Sequence, residues 1–92
     1  LANHKSAEKR ARQSEERRLR NRARKSSMKT AIKKVEEAMT AKSVDTLPDL
    51  LRSAVSVIDK TASKGTIHSN NAARKISRLS RRVSAFMQQA QA

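Results

Sequence analysis

Residues 46–65 run Thr46-Leu47-Pro48-Asp49-Leu50-Leu51-Arg52-Ser53-Ala54-Val55-Ser56-Val57-Ile58-Asp59-Lys60-Thr61-Ala62-Ser63-Lys64-Gly65. Leu47, Leu50, Leu51, Ala54, Val55, Ile58 and Ala62 recur at the three- and four-residue spacing of one helix face. Thr46 followed by Asp49 has the form of a capping box, and Pro48 is tolerated in a first turn. Gly65 is the residue type that most easily takes the left-handed conformation ending a helix. This helix is apolar on one side only, so it must pack that side against another part of a 92-residue chain.

Partners of the same kind stand on both sides. Upstream, Met28, Ala31, Ile32, Val35, Ala38 and Met39 form a stripe. It closes a helix expected from about Ser6, a suitable N-cap, to Ala41. Downstream, a helix starting at Ser69 or Asn70 carries Ala72, Ala73, Ile76, Leu79, Val83, Phe86, Met87 and Ala90. The connections, about Lys42 to Asp45 and Gly65 to His68, are short, and short connections make consecutive helices antiparallel neighbours. The fold expected is all-α, in a single domain. It is a three-helix antiparallel bundle over residues 28–90, with a long basic N-terminal helical extension over 1–27. Roughly 15–20 aliphatic side chains, many of them Ala, make a core near the lower limit for independent stability.

Charge divides the chain differently. Lys and Arg number 22 against 8 Asp and Glu, a net charge of +14. Residues 1–34 hold 13 basic and 3 acidic residues, residues 35–60 hold 3 and 5, and residues 61–92 hold 6 and none. Both ends therefore seek a polyanion, and nucleic acid comes first among polyanions. Cysteine is absent, which excludes a disulfide framework and a thiolate metal site. No apolar run approaches the ~20 residues of a membrane-spanning helix, and the charged start is unlike a secretory signal. His4 and His68 lie on separate segments, and Gly65 is alone, so neither a metal site nor a phosphate-cradling glycine loop is expected. Tandem Glu15-Glu16 and Glu36-Glu37 point to different helix faces and suit surface ion pairs, not catalysis.

The candidate RNA-binding residues follow from this distribution. Lys5, Lys9, Arg10 and Arg12 open the first helix. Arg17, Arg18, Arg20, Arg22, Arg24 and Lys25 follow within nine residues. At about 100° per residue these side chains surround much of the helix, an arrangement suited to phosphates from several RNA segments. Arg predominates, and its planar fork makes two hydrogen bonds to one phosphate. The pairs Glu8–Arg12 and Glu16–Arg20 have helical (i, i+4) spacing but leave most of the charge unpaired. Lys29 and Lys34 continue the basic character into the apolar half. Lys64 and His68, the latter as a partly positive donor, flank the second connection. Asn70, like Asn3, Asn21 and Asn71, offers hydrogen bonds to sugar or base edges or serves a cap. On the third helix Arg74, Arg78, Arg81 and Arg82 share a face, with Lys75 beside it. Base stacking wants aromatic platforms, and the one aromatic, Phe86, falls on a core stripe. Recognition is therefore expected to read backbone and shape.

Two stretches now carry a resemblance. The first is Ala2-Asn3-His4-Lys5-Ser6-Ala7-Glu8-Lys9-Arg10. The second is Lys64-Gly65-Thr66-Ile67-His68-Ser69-Asn70-Asn71-Ala72-Ala73-Arg74 with Ser77-Arg78-Leu79. They resemble the bacterial-type small-subunit ribosomal protein family numbered twenty, whose second motif reads Lys-Gly-x-Ile-His-x-Asn-x-Ala-Ala-Arg and then Ser-Arg-Leu. Between them, Arg17-Arg18, Asn21, Lys25-Ser26 and Lys33-Lys34 fall where that family is basic. The resemblance implies a three-helix bundle that binds 16S-type small-subunit ribosomal RNA directly and stabilises its folding and assembly. It implies no catalysis, no cofactor, no small-molecule substrate, no membrane and few or no protein partners. The place implied is the ribosome, in bacterial cytoplasm or in plastid stroma. Leu1 in place of an initiator Met suits a processed organellar copy or a trimmed bacterial chain. Ser69 and Asn71 depart from the Lys common in the family, which makes this loop less positive.

Two other classes fit less well. A basic-region DNA-binding dimer needs apolar heptads, but the stripe after Met28 lasts about three turns. A membrane-active cationic helix needs a strong apolar face, and residues 6–27 lack one.

Overall fold

Apolar stripes on three helices of one short chain have only each other as cover. A computed structural model, describing the backbone of residues 2–91, packs them in that way. Helix α1 spans Ala2–Thr40, α2 spans Leu47–Ser63 and α3 spans Ser69–Gln91. The described residues include no strand. Met28, early in the packed half of α1, meets Ile58 late in α2 and Ala72 early in α3. One end further on, Val35 and Ala38 meet Leu47 and Ala54 of α2 and Leu79 and Val83 of α3. Those pairings make neighbouring helices antiparallel, and the protein is an all-α bundle.

The helix boundaries depart from expectation at two points. α1 begins at Ala2, so Ser6 lies inside it and caps nothing. No Pro or Gly separates Ala2 from Ser6, and a contact at 3.2 Å between His4 and Glu8, one turn apart, crosses the expected boundary. At α2, Thr46 holds the N-cap position without capping. Its hydroxyl donates to the Ser43 carbonyl at 3.2 Å, so the Thr46–Asp49 capping box does not form. A cap side chain accepts from the N–H of the second or third helical residue, and Pro48, in the second place, has none. Asp49 still sits in the first turn, where the helix dipole favours it.

Both α1 and α2 end in the same hydrogen-bonded turn. After α2, the Gly65 N–H donates to Ala62 at 2.9 Å and the Thr66 N–H to Thr61 at 3.1 Å, with Gly65 at φ 77°. After α1, the Lys42 N–H donates to Met39 at 3.1 Å and the Ser43 N–H to Ala38 at 2.9 Å, with Lys42 at φ 57°. This is the Schellman pattern, which places one residue in the left-handed region. Gly65 is suited to it and Lys42 is not. Lys42→Gly is therefore expected to stabilise the bundle by up to about 1 kcal/mol, and Gly65→Ala to destabilise it by about 1 kcal/mol. Denaturant unfolding of the two variants reads both signs, and equal signs contradict the assignment.

The core keeps most of the expected stripes. Leu47, Ile58 and Val35 are the largest fully buried side chains. Phe86 and Met87 pack partly buried against the core, as expected. Ala73 and Ala90, counted in the α3 stripe, are exposed. Three further residues join the core, namely Val57, Thr61 and Ile67. Buried Thr61 satisfies its hydroxyl by donating to the Val57 carbonyl at 2.7 Å.

Residues 4–20 are all exposed, and Leu19, 51% exposed, is the one large apolar side chain among the described residues left so open. Contact with the rest of the chain starts at Asn21, two turns before Met28. Asn21 and Arg24 are half-buried, so a protein-facing side exists there where none was expected. The projecting part of α1 stretches the molecule to 71 × 23 × 14 Å with a radius of gyration of 18.3 Å. A compact chain of this length would have about 12 Å.

Candidate nucleic-acid interface

The antiparallel order decides where the cations meet. α2 runs back along α1, so the α2–α3 loop and the start of α3 lie where the extension leaves the bundle. Lys64, His68, Asn70 and Arg74 therefore stand near the root of the segment carrying Arg17 to Lys25. Glu36, Glu37, Asp45 and Asp49 lie toward the opposite end, around the α1–α2 connection. The topology thus gathers cations at the extension end, while four of the eight carboxylates stand at the other.

Of the expected RNA-binding residues, Arg24 and Lys75 are half-buried and the other eighteen are exposed. Of the projecting residues, Arg17 and Arg20 line a cleft with Lys64 and Gly65; Lys5, Lys9, Arg10, Arg12, Arg18 and Arg22 are exposed along the helix. Ion pairing within the described residues is sparse and differs from expectation. Neither Glu8–Arg12 nor Glu16–Arg20 forms. Glu8 meets His4 at 3.2 Å, and Arg18 makes a two-pronged contact with Glu15 at 2.7 and 3.1 Å. An Arg reaching back one turn aligns its fork with both carboxylate oxygens. The hydrogen bond and charge of Arg18 hold the Glu15 carboxyl below its ordinary pKa, and Glu15 in turn raises that of Arg18.

Elsewhere Glu36 and Glu37 serve as surface ion-pair partners, as expected. Glu37 approaches Lys33 at 3.9 Å, and Glu36 bridges to Arg82 of α3 at 3.0 Å. Arg82 is thus shared with a carboxylate, while Arg74, Arg78 and Arg81 form an exposed row free of such partners among the described residues.

His68 has a structural role that the sequence did not suggest. Its Nδ1 accepts from the Asn70 N–H at 3.0 Å, and its carbonyl takes the Ala72 N–H at 3.1 Å, so His68 is the N-cap of α3. Neither Ser69 nor Asn70 fills that place. The hydrogen bond occupies Nδ1 and leaves Nε2 as the second ring nitrogen. Asn21 is likewise structural. Its Oδ1 accepts from the Thr66 hydroxyl at 3.2 Å and from Arg24 Nη1 at 3.4 Å, tying the loop to α1. The Asn70 side chain is exposed; that of Asn3 lies outside the described residues. Sequence reading passed over Lys60, which lines a hollow with Arg24 and Lys64. Its spacing of one helical turn from Lys64 was the available signal.

Among the described residues no group of three His, Asp or Glu is placed to hold a metal, and no helix is long and apolar enough to cross a membrane.

The family model described as "Ribosomal protein S20" matches residues 2–84. "Small ribosomal subunit protein bS20" of Syntrophobacter fumaroxidans is 61% identical over 86 residues, covering 94% of this chain and 100% of that one. The protein of the same name from Desulforapulum autotrophicum is 62% identical over 81 residues, covering 88% and 96%. That of Desulfotalea psychrophila is 51% identical over 87 residues, covering 95% and 98%. With the match running through the basic helix, the loop and α3, this chain belongs to the ribosomal protein S20 family.

Proposed function

We propose that this protein is a cationic strut of the small ribosomal subunit: it binds small-subunit ribosomal RNA directly and holds its folded architecture together. In this role it is structural and not an enzyme. Residues 1–27 serve as the RNA-embedded extension and residues 28–90 as the bundle. The observation that carries the reading is the projecting half of α1. It bears exposed cations on every side and offers no apolar face, so protein is a poor partner for it and a surround of phosphates a good one. The contacts are assigned to the cations of the extension from Lys5 to Lys25, to Lys29 and Lys34, to Lys64, His68 and Asn70 at the loop, and to Arg74, Lys75, Arg78, Arg81 and Arg82. Few or no protein partners are needed, because the described surface has no exposed apolar patch beyond Leu19. The relatives are bacterial, which favours ribosomes of the bacterial cytoplasm.

Affinity against salt tests this. If roughly 8–10 phosphates are neutralised, the log–log slope for small-subunit ribosomal RNA is roughly −6 to −9. Binding to that RNA should also exceed binding to duplex DNA at moderate salt. Equal affinity for the two counts against the reading, as does a shallow slope.

A further inference from the structure

α1 turns one face toward the α2–α3 loop. Arg17, Arg20, Asn21 and Arg24 follow one another at i, i+3, i+4 and i+7 and so share that face. Together with Lys64 and Gly65 they line a polar cleft of about 390 Å³. Four of the six lining residues are cations and none is a carboxylate. Of the carboxylates on the extension, Glu8 is engaged with His4 and Glu15 with Arg18, and Glu16 does not line the cleft.

The part of the wall at Asn21 and Arg24 is braced before any ligand arrives. The Thr66 hydroxyl donates to Asn21 Oδ1 at 3.2 Å, which pins the loop to α1. Arg24 Nη1 donates to the same oxygen at 3.4 Å, which restrains the Arg24 fork. Gly65 leaves its corner open, with nothing within 4 Å of where a Cβ would stand. Like charges gathered on two facing walls repel one another, and an anion between them relieves that repulsion.

We propose that this cleft is a seat for two neighbouring phosphate groups, supplied by a sharp turn of RNA backbone. The inference rests on the RNA-binding reading and adds to it a defined site. One phosphodiester would leave three of the four positive charges in the cleft uncompensated, whereas two adjacent ones halve the charge. Guanidinium forks bind phosphate oxygens in pairs, and Lys64 adds a point charge from the opposite wall. A ligand held there bonds α1 and the loop together, fastening the root of the extension to the bundle. Thr66 is a positioning residue, acting through Asn21.

The test uses the full chain and inorganic pyrophosphate at near-physiological salt, followed by NMR. Pyrophosphate should give saturable shifts confined to the Gly65 and Thr66 amides, the Asn21 side-chain amide and the Arg20 and Arg24 Nε groups. Inorganic phosphate should bind far more weakly. Arg20→Ala with Lys64→Ala should weaken pyrophosphate about tenfold or more, while Arg10→Ala with Arg12→Ala, an equal loss of charge, should change it by about twofold or less. Thr66→Val, which removes no charge, should weaken it by about two- to threefold. Circular dichroism melts establish that each variant is folded.

A second arm identifies the source of the phosphates. In complexes with small-subunit ribosomal RNA, the Arg20/Lys64 variant should lose hydroxyl-radical protection at one confined backbone patch that the Arg10/Arg12 variant keeps. Shifts spread over all basic residues, equally reduced in both double variants, would overturn the site. An unchanged footprint in the Arg20/Lys64 variant would overturn its assignment to RNA backbone. Failure of the unsubstituted chain to bind the RNA would instead strike the parent reading, which separates the two.

Discussion

Ile58→Asp abolishes the cooperative melting of the bundle. Ile58 is 0% exposed and packs with Met28 and Ala72, one residue from each of the other two helices. Replacing it removes aliphatic packing worth about 2–5 kcal/mol and places a carboxylate where no donor is at hand. A core of this size supplies on the order of 5 kcal/mol in total, so the loss exceeds what is available. Leu79→Asp, at a site 4% exposed in the neighbouring cluster, should behave the same way. Leu19→Asp is the contrast: its site is 51% exposed, and the melt should stay within about 0.5 kcal/mol of the parent. An unaltered thermal transition in the Ile58 variant refutes the core described above.

The second large effect is on binding. Arg22, Lys25 and Lys29 are exposed, follow one another along one face of α1, and have no carboxylate partner among the described residues. Arg18 lies on the same line but is already held by Glu15 at 2.7 Å, so it is a poorer choice. Changing Arg22, Lys25 and Lys29 together to Ala should weaken binding to small-subunit ribosomal RNA by roughly a hundredfold. The slope of log affinity against log salt should become shallower by about 2–3. The melting transition of the free protein should not fall, because none of the three is buried. Lost bundle helicity in this variant would show that the face packs on protein.

The helical bundle was legible in residue order alone. Periodicity in 46–65 identified α2, and the matching stripes at Met28–Met39 and Ala72–Met87 identified its neighbours. Short connections then left an antiparallel bundle as the simple arrangement. What sequence patterns hid was local and concerned polar atoms. Ser6 looks like a cap because its side chain could accept a helical N–H, but nothing between Ala2 and Ser6 stops the helix. The Thr46–Asp49 pair has capping spacing, yet Pro48 removes one of the donors it would serve, and the Thr46 hydroxyl turns to Ser43 instead.

His68 shows the reverse case: its capping of α3 depends on loop geometry that spacing does not reveal. The Asn21–Thr66 hydrogen bond joins residues 45 apart in sequence, so no local pattern announces it. At the candidate interface the cations were identifiable from charge density. Their gathering at one end of the bundle follows only from helix direction. The choice of Glu15–Arg18 over the expected (i, i+4) pairs is a matter of side-chain geometry.

In the role proposed above, the projecting half of α1 takes its stability from phosphates and not from protein. Residues 4–20 bury nothing against the bundle, and like charges crowd their surface. A helix without tertiary packing depends on propensity alone, and repulsion between neighbouring cations works against it. Amide hydrogen exchange of the full chain, free and bound to small-subunit ribosomal RNA, addresses this residue by residue. Weak protection is expected for residues 6–20 in the free protein, strong protection in the complex, and protection of bundle amides such as those of Val35 and Ile58 in both states. Full protection of residues 6–20 without RNA, or exchange there that RNA leaves unchanged, would contradict it.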